Sequence, residues 1–140
     1  MFDYTINIMP KQLDLFLLES KIQDMSCINY FKEKIDAGVI NSDNNKKTNV
    51  KGKMTDWKYF NDDEVLHKFL REINHLMFKF VLPHQKLLLQ SSWGNILQGE
   101  DYVEQHDHIG ANISGVLYLT DIGPGLDFPD FKRTIKEETG

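Results

Sequence analysis

The residues best suited to chemistry are His106 and His108, two apart in Glu-Gln-His-Asp-His-Ile-Gly over residues 104–110. Side chains two apart on an extended strand point to the same face, so both imidazoles could reach one metal ion. Asp107 lies between them and faces the other way on a regular strand. There it would be a solvated or hydrogen-bonding carboxylate behind the ligands; a bulge would turn it inward as a ligand in its own right. The apolar run Ser-Gly-Val-Leu-Tyr-Leu, residues 114–119, would be the rigid platform. Histidine pairs also stand on exposed strands with no chemical role. His67 and His75 sit on a helix at a spacing other than i, i+4, and His84 follows Pro83 in a turn, so these three read as surface residues.

The elements that must position such a pair read as follows. Tyr4 to Met9 alternates polar and apolar residues and predicts a short strand before Pro10. Leu13 to Ser20 is strand or helix, undecided by periodicity. Asp24 to Ala37 predicts a helix with Ile28, Phe31 and Ile35 on one face and Gly38 as its stop. Asn41 to Lys53 is polar and turn-rich and predicts an exposed loop. Asn61 to Phe80 predicts the clearest helix, with Asn61 as cap, Glu64 at capping-box spacing and a broad apolar face from Val65 to Phe80. Leu87 to Ile96, Tyr102 to Asp107 and Ile113 to Thr120 predict strands separated by glycine-containing turns. Helices followed by strands imply an α+β fold with helices packed on one face of an antiparallel sheet.

Composition bounds the function. A chain of 140 residues is enough for one domain with a real core. Its 41% hydrophobic and 26% charged residues are those of an ordinary soluble globular protein. A formal net charge of −5 argues against nucleic-acid and anionic-membrane partners. A single cysteine, Cys27, excludes an internal disulfide framework and a cysteine-rich zinc site. With no basic-then-apolar leader and no bilayer-length apolar run, a cytoplasmic location is expected.

Residues 93–119 resemble the iron(II)- and 2-oxoglutarate-dependent oxygenases, most closely the phage and bacterial members related to prolyl 4-hydroxylases. The resemblance rests on Trp93-Gly-Asn95-Ile, Gly99, Tyr102, His106-x-His108 and Ser114-Gly-Val-Leu-Tyr118-Leu, followed by Asp121-Ile-Gly-Pro-Gly125-Leu-Asp-Phe-Pro129-Asp. It covers about the last third of the chain, and the upstream helices fit the family's preceding layer only loosely. Each piece is weakly specific and the ordered set more so.

This resemblance implies a double-stranded β-helix, a jelly-roll relative of the cupins, with a helical and loop portion over residues 1–85 and a β-helix portion over 86–140 of one domain. It implies iron(II), 2-oxoglutarate as co-substrate, O₂, and hydroxylation of a peptide or small molecule. His106 takes the place of the first iron ligand. His108 stands where the family has a carboxylate, which leaves an extra positive charge on the metal, or else Asp107 supplies the second ligand. In the family, polar side chains on the strand before the metal motif hydrogen-bond the co-substrate, and Tyr102 and Asn95 are the candidates here. Tyr102 matches the family's tyrosine but sits one residue further from His106, and the alternative roles are a core aromatic for Tyr102 and a turn-facing amide for Asn95. Tyr118 reads as core or cavity wall, and Leu126, Phe128 and Phe131 as core. The family's distal histidine and its 2-oxoglutarate-binding Arg or Lys have no counterpart after Asp121, since Lys132 and Arg133 come too early. The chain is therefore expected to be a fragment or truncated reading frame, without a complete oxygenase site as written. The alternatives are a cupin-like metal-binding domain without oxygenase activity, or an accessory protein in which the histidine pair is incidental.

Overall fold

A computed structural model describes residues 2–8, 16–39, 48–80, 87–121 and 125. It is an α+β chain with two helices and short antiparallel strand pairs among the described residues. Two compact units form, one of Met1–Ile28 with Leu117–Gly140 and one of Asn29–Val116. The expectations for His84, Leu126, Phe128 and Phe131 lie outside the described residues, as does the side chain of His75.

In the first unit, β1 (Phe2–Ile8) pairs antiparallel with β2 (Phe16–Ile22), in register from Phe2 opposite Ile22 to Ile8 opposite Phe16. For the described part of the ambiguous segment Leu13 to Ser20, from Phe16 on, the pairing decides in favour of a strand. Periodicity could not, because the stabilising partner lies in β1.

Helix α1 (Met25–Gly38) starts where the sequence places it. Asp24 Oδ1 accepts from the Ser26 and Cys27 amides at 2.9 and 3.4 Å and from the Ser26 hydroxyl at 2.6 Å. These bonds satisfy amides that a helix start leaves unpaired. The same bonds, led by the Ser26 hydroxyl, hold the Asp24 carboxyl below its ordinary range. Ile28, Phe31 and Ile35 form the buried stripe, as expected from their spacing. In the second unit the Phe31 ring, 3% exposed, meets Tyr30, Phe60 and Phe69 edge-on at 5.6, 5.8 and 6.0 Å between centroids. Such edge-to-face contacts suit the charge distribution of the rings and specify a packing as well as burying area.

Helix α2 (Glu64–Phe80) is the predicted long helix with a different cap. Asp63, not Asn61, accepts the Leu66 amide, through Oδ1 at 2.9 Å. Asn61 instead ties the turn to the segment after α2, donating to the Gln90 carbonyl at 3.0 Å and accepting from the Ser92 hydroxyl at 2.7 Å. Both residues have capping chemistry, and the tertiary partners of Asn61 draw it away. The other oxygen of Asp63 accepts the Tyr30 hydroxyl at 2.6 Å and lies 3.8 Å from Lys34 Nζ. Burial works to raise the Asp63 carboxyl. The bonds from Tyr30 and Leu66 and the charge of Lys34 outweigh it, and the group titrates below its usual value. The same contact pushes the Tyr30 phenol up to about 12.

The predicted loop over 41–53 contains two short strands, β3 (Val50–Lys51) and β4 (Lys53–Met54). Strand β4 pairs with β5 (Asn95–Ile96), and β3 pairs with β6 (Tyr102–Val103), both antiparallel. The segment 50–54 thus runs past both partners. Residues 97–101 form an excursion opposite Gly52, closed by the bonds from Asp101 N–H to the Gln98 carbonyl and from Gln98 N–H to Asp101 Oδ2, both 3.0 Å. A Cβ at residue 52 would crowd Leu97 and the Ile96 carbonyl, so glycine is required by this close approach. Fully buried Thr55 extends the β4–β5 pairing: its amide donates to the Gly94 carbonyl and its hydroxyl accepts the Gly94 amide, each at 3.0 Å. Strand structure is shorter than the sequence suggests. The ladder of β6 ends before the histidines, and residues 113–119 form none with the described residues.

Candidate metal centre

The histidine pair lies just beyond β6, and one further hydrogen bond carries the β3–β6 ladder toward it. Glu104 N–H donates to the Asn49 carbonyl at 2.8 Å. The Glu104 side chain lies 3.6 Å from Lys51 Nζ, which donates to the Thr48 carbonyl at 2.8 Å. The Glu104 carbonyl in turn stands 2.7 Å from His106 Nδ1. The imidazole therefore takes its orientation from the end of a strand pairing rather than from within one.

His106 and His108 lie together, on a segment that is not part of a strand. Their Nε2 atoms are 3.2 Å apart, and their rings meet at 66° with centroids 4.8 Å apart. Both residues are exposed. With metal–nitrogen bonds of about 2.0–2.1 Å, two nitrogens this far apart subtend roughly 100° at the ion. That lies between the angles of adjacent octahedral and tetrahedral positions, so the separation, taken alone, matches two neighbouring positions on one ion. Among the described residues no third His, Cys, Asp or Glu, Asp107 included, joins them in a metal-holding group.

The two residues matched to co-substrate binding lie on the short ladders. Tyr102 is in β6 opposite Lys51 and is 55% exposed. Asn95 is in β5 opposite Met54 and is exposed. No hydrogen bond or ring contact between either residue and the imidazoles is found among the described residues. Tyr118 is exposed rather than core. His67, expected on the surface, is half-buried and bonds through Nε2 to the Asn61 carbonyl, a structural role at the start of α2.

One feature of the surface escaped the sequence reading. Trp57, in the turn before α2, meets Trp93 at 4.5 Å between centroids and 73° between planes. The Ser92 amide fixes the approach by donating to the Trp57 carbonyl at 3.1 Å, and the Phe60 amide donates to the Ser92 carbonyl at the same distance. The two tryptophans are far apart in sequence, and no local pattern links them.

No helix among the described residues is long and apolar enough to cross a membrane. Compared with protein-family models, curated proteins and solved structures, the chain matches none.

Proposed function

We propose that His106 and His108 supply two adjacent ligands of a metal centre, and that the chain carries part of an iron(II)- and 2-oxoglutarate-dependent hydroxylase site. The 3.2 Å separation of the two Nε2 atoms is the observation that supports this reading. When bound, iron(II) with 2-oxoglutarate and O₂ supplies oxidative hydroxylation of a C–H bond. The residues of this chain hold and orient. His106 and His108 would hold the metal, and Tyr102 and Asn95 would offer a hydroxyl and an amide to the co-substrate carboxylates. The substrate in this reading is a peptide or small molecule.

A second reading, a cupin-like metal domain without oxygenase activity, draws on the same pair. Two neutral imidazoles without a carboxylate leave the ion's charge less compensated and suit zinc or nickel as well as iron. Anaerobic calorimetric titration of the chain with iron(II), with and without 2-oxoglutarate, tests both. The expected result is binding that His106→Ala abolishes and 2-oxoglutarate strengthens. His106-dependent binding of zinc or nickel, with no effect of 2-oxoglutarate on iron, would favour the second reading. Absence of any His106-dependent metal binding would refute both.

A further inference from the structure

We propose that the Glu104 carbonyl fixes His106 with its proton on Nδ1, so that His106 meets an incoming metal with a ready lone pair while His108 must change tautomer to bind. The second half of this inference rests on the metal centre proposed above. A carbonyl oxygen can only accept, and it stands 2.7 Å from His106 Nδ1, so that nitrogen carries the proton. In the neutral ring Nε2 is then bare. It faces His108 Nε2 at 3.2 Å, a hydrogen-bond distance, so the proton between the rings belongs to His108. The neutral pair is therefore His106 protonated on Nδ1 and His108 protonated on Nε2.

The carbonyl is itself held. Glu104 N–H is bonded to the Asn49 carbonyl at 2.8 Å, so the acceptor is set by the backbone bond that continues the strand pairing. Free imidazole side chains favour the proton on Nε2. His106 is held against that preference, and His108 follows it. To hold a metal through Nε2 beside His106, His108 would give up its Nε2 proton and take one on Nδ1. The pair begins and ends with two protons, and none is released. Groups that fix a ligating imidazole in this way typically contribute 10–100-fold to metal affinity, which makes Glu104 a positioning residue.

Long-range ¹H–¹⁵N correlation spectra of the labelled full chain, at a pH where both rings are neutral, test the assignment. His106 is expected with a protonated Nδ1 and bare Nε2, and His108 with the reverse. Zinc(II), which is diamagnetic, should leave the His106 proton in place and move that of His108 to Nδ1. Glu104→Ala keeps the backbone carbonyl and should keep both tautomers. Glu104→Pro removes the N–H that anchors the carbonyl and should let His106 average between tautomers, with zinc binding weakened roughly 10-fold or more. A His106 protonated on Nε2 in the wild type, or averaged there, overturns the proposal. So does loss of the tautomer in Glu104→Ala, which would assign the effect to the carboxylate. If Glu104→Pro does not fold, the wild-type and Glu104→Ala spectra decide. Zinc that leaves the spectrum unchanged refutes the metal centre and the exchange at His108, and leaves the fixed tautomer of His106 standing.

Discussion

Replacing Asp63 should destabilise the chain more than any other single change at a helix end, because one side chain serves two elements. Its side chain is 6% exposed, Oδ1 caps α2 through the Leu66 amide, and Oδ2 receives the Tyr30 hydroxyl from α1. Loss of an N-cap costs about 1 kcal/mol. Loss of a hydrogen bond to a charged group costs about 1.5–3 kcal/mol. Lys34, 44% exposed and 3.8 Å away, adds little after solvent screening. Asp63→Ala should therefore cost about 3 kcal/mol, or roughly 10 °C in Tm for a chain of this size. Asp63→Asn keeps a capping oxygen but cannot accept from both Leu66 and Tyr30 as an anion does, and should cost about half as much.

The pH dependence separates the charge from the cap. The folded carboxyl titrates below its unfolded value of about 3.9, so its contribution is complete above that value and is lost as pH falls through the folded one. In urea or thermal unfolding monitored by circular dichroism, wild type should exceed Asp63→Asn at pH 7. The gap should narrow as the pH is taken below about 4. A gap that stays constant down to pH 3, or an Asp63→Ala cost below about 1 kcal/mol, would refute the assignment of a charged, doubly engaged Asp63.

Thr55→Val removes the hydroxyl that accepts the buried Gly94 amide and should cost about 1–3 kcal/mol in denaturant unfolding, by leaving that amide unpaired. Gly94→Ala places a methyl into Ile35 and should cost about 1–3 kcal/mol by the same measurement; a neutral effect would show that α1 can shift away from β5. His108→Ala should keep the far-ultraviolet spectrum of the wild type and weaken metal binding, since both imidazoles are exposed and neither supports the core. If Asp107→Ala weakens binding more than His108→Ala, the carboxylate is the second ligand.

Helix α1 was legible because it buries a stripe within its own sequence window, and Ile28, Phe31 and Ile35 are enough to predict its face; α2 was legible from the helical spacing of its apolar residues. His106 and His108 also meet, but outside any strand, so strand alternation is not what brings them together. What the sequence hid depends on distant partners. Val50–Lys51 and Lys53–Met54 are too short and polar to signal strands, and become strands by pairing with residues 102–103 and 95–96. The choice of Asp63 over Asn61 as cap turns on Tyr30 at one side and Gln90 and Ser92 at the other, contacts 29 to 33 residues apart in sequence. Ile113 to Thr120 has strand composition and no ladder among the described residues. Composition sets how well a segment suits a pleated surface, and a partner must still supply the hydrogen bonds.

The placement of the histidines after the ladder, rather than within it, has a physical consequence. A carbonyl inside an antiparallel ladder is engaged with an amide of the neighbouring strand. At Glu104 the last bond between the segments uses the amide, donated to Asn49, and the carbonyl accepts from His106. An additional ladder bond to that carbonyl would compete with the imidazole for it and loosen the control of its tautomer. A longer β6 would make a stiffer platform and a less defined ligand. The short strand, paired with Val50 and Lys51 and ending at Val103, therefore leaves the Glu104 carbonyl to His106 and both imidazoles open to solvent.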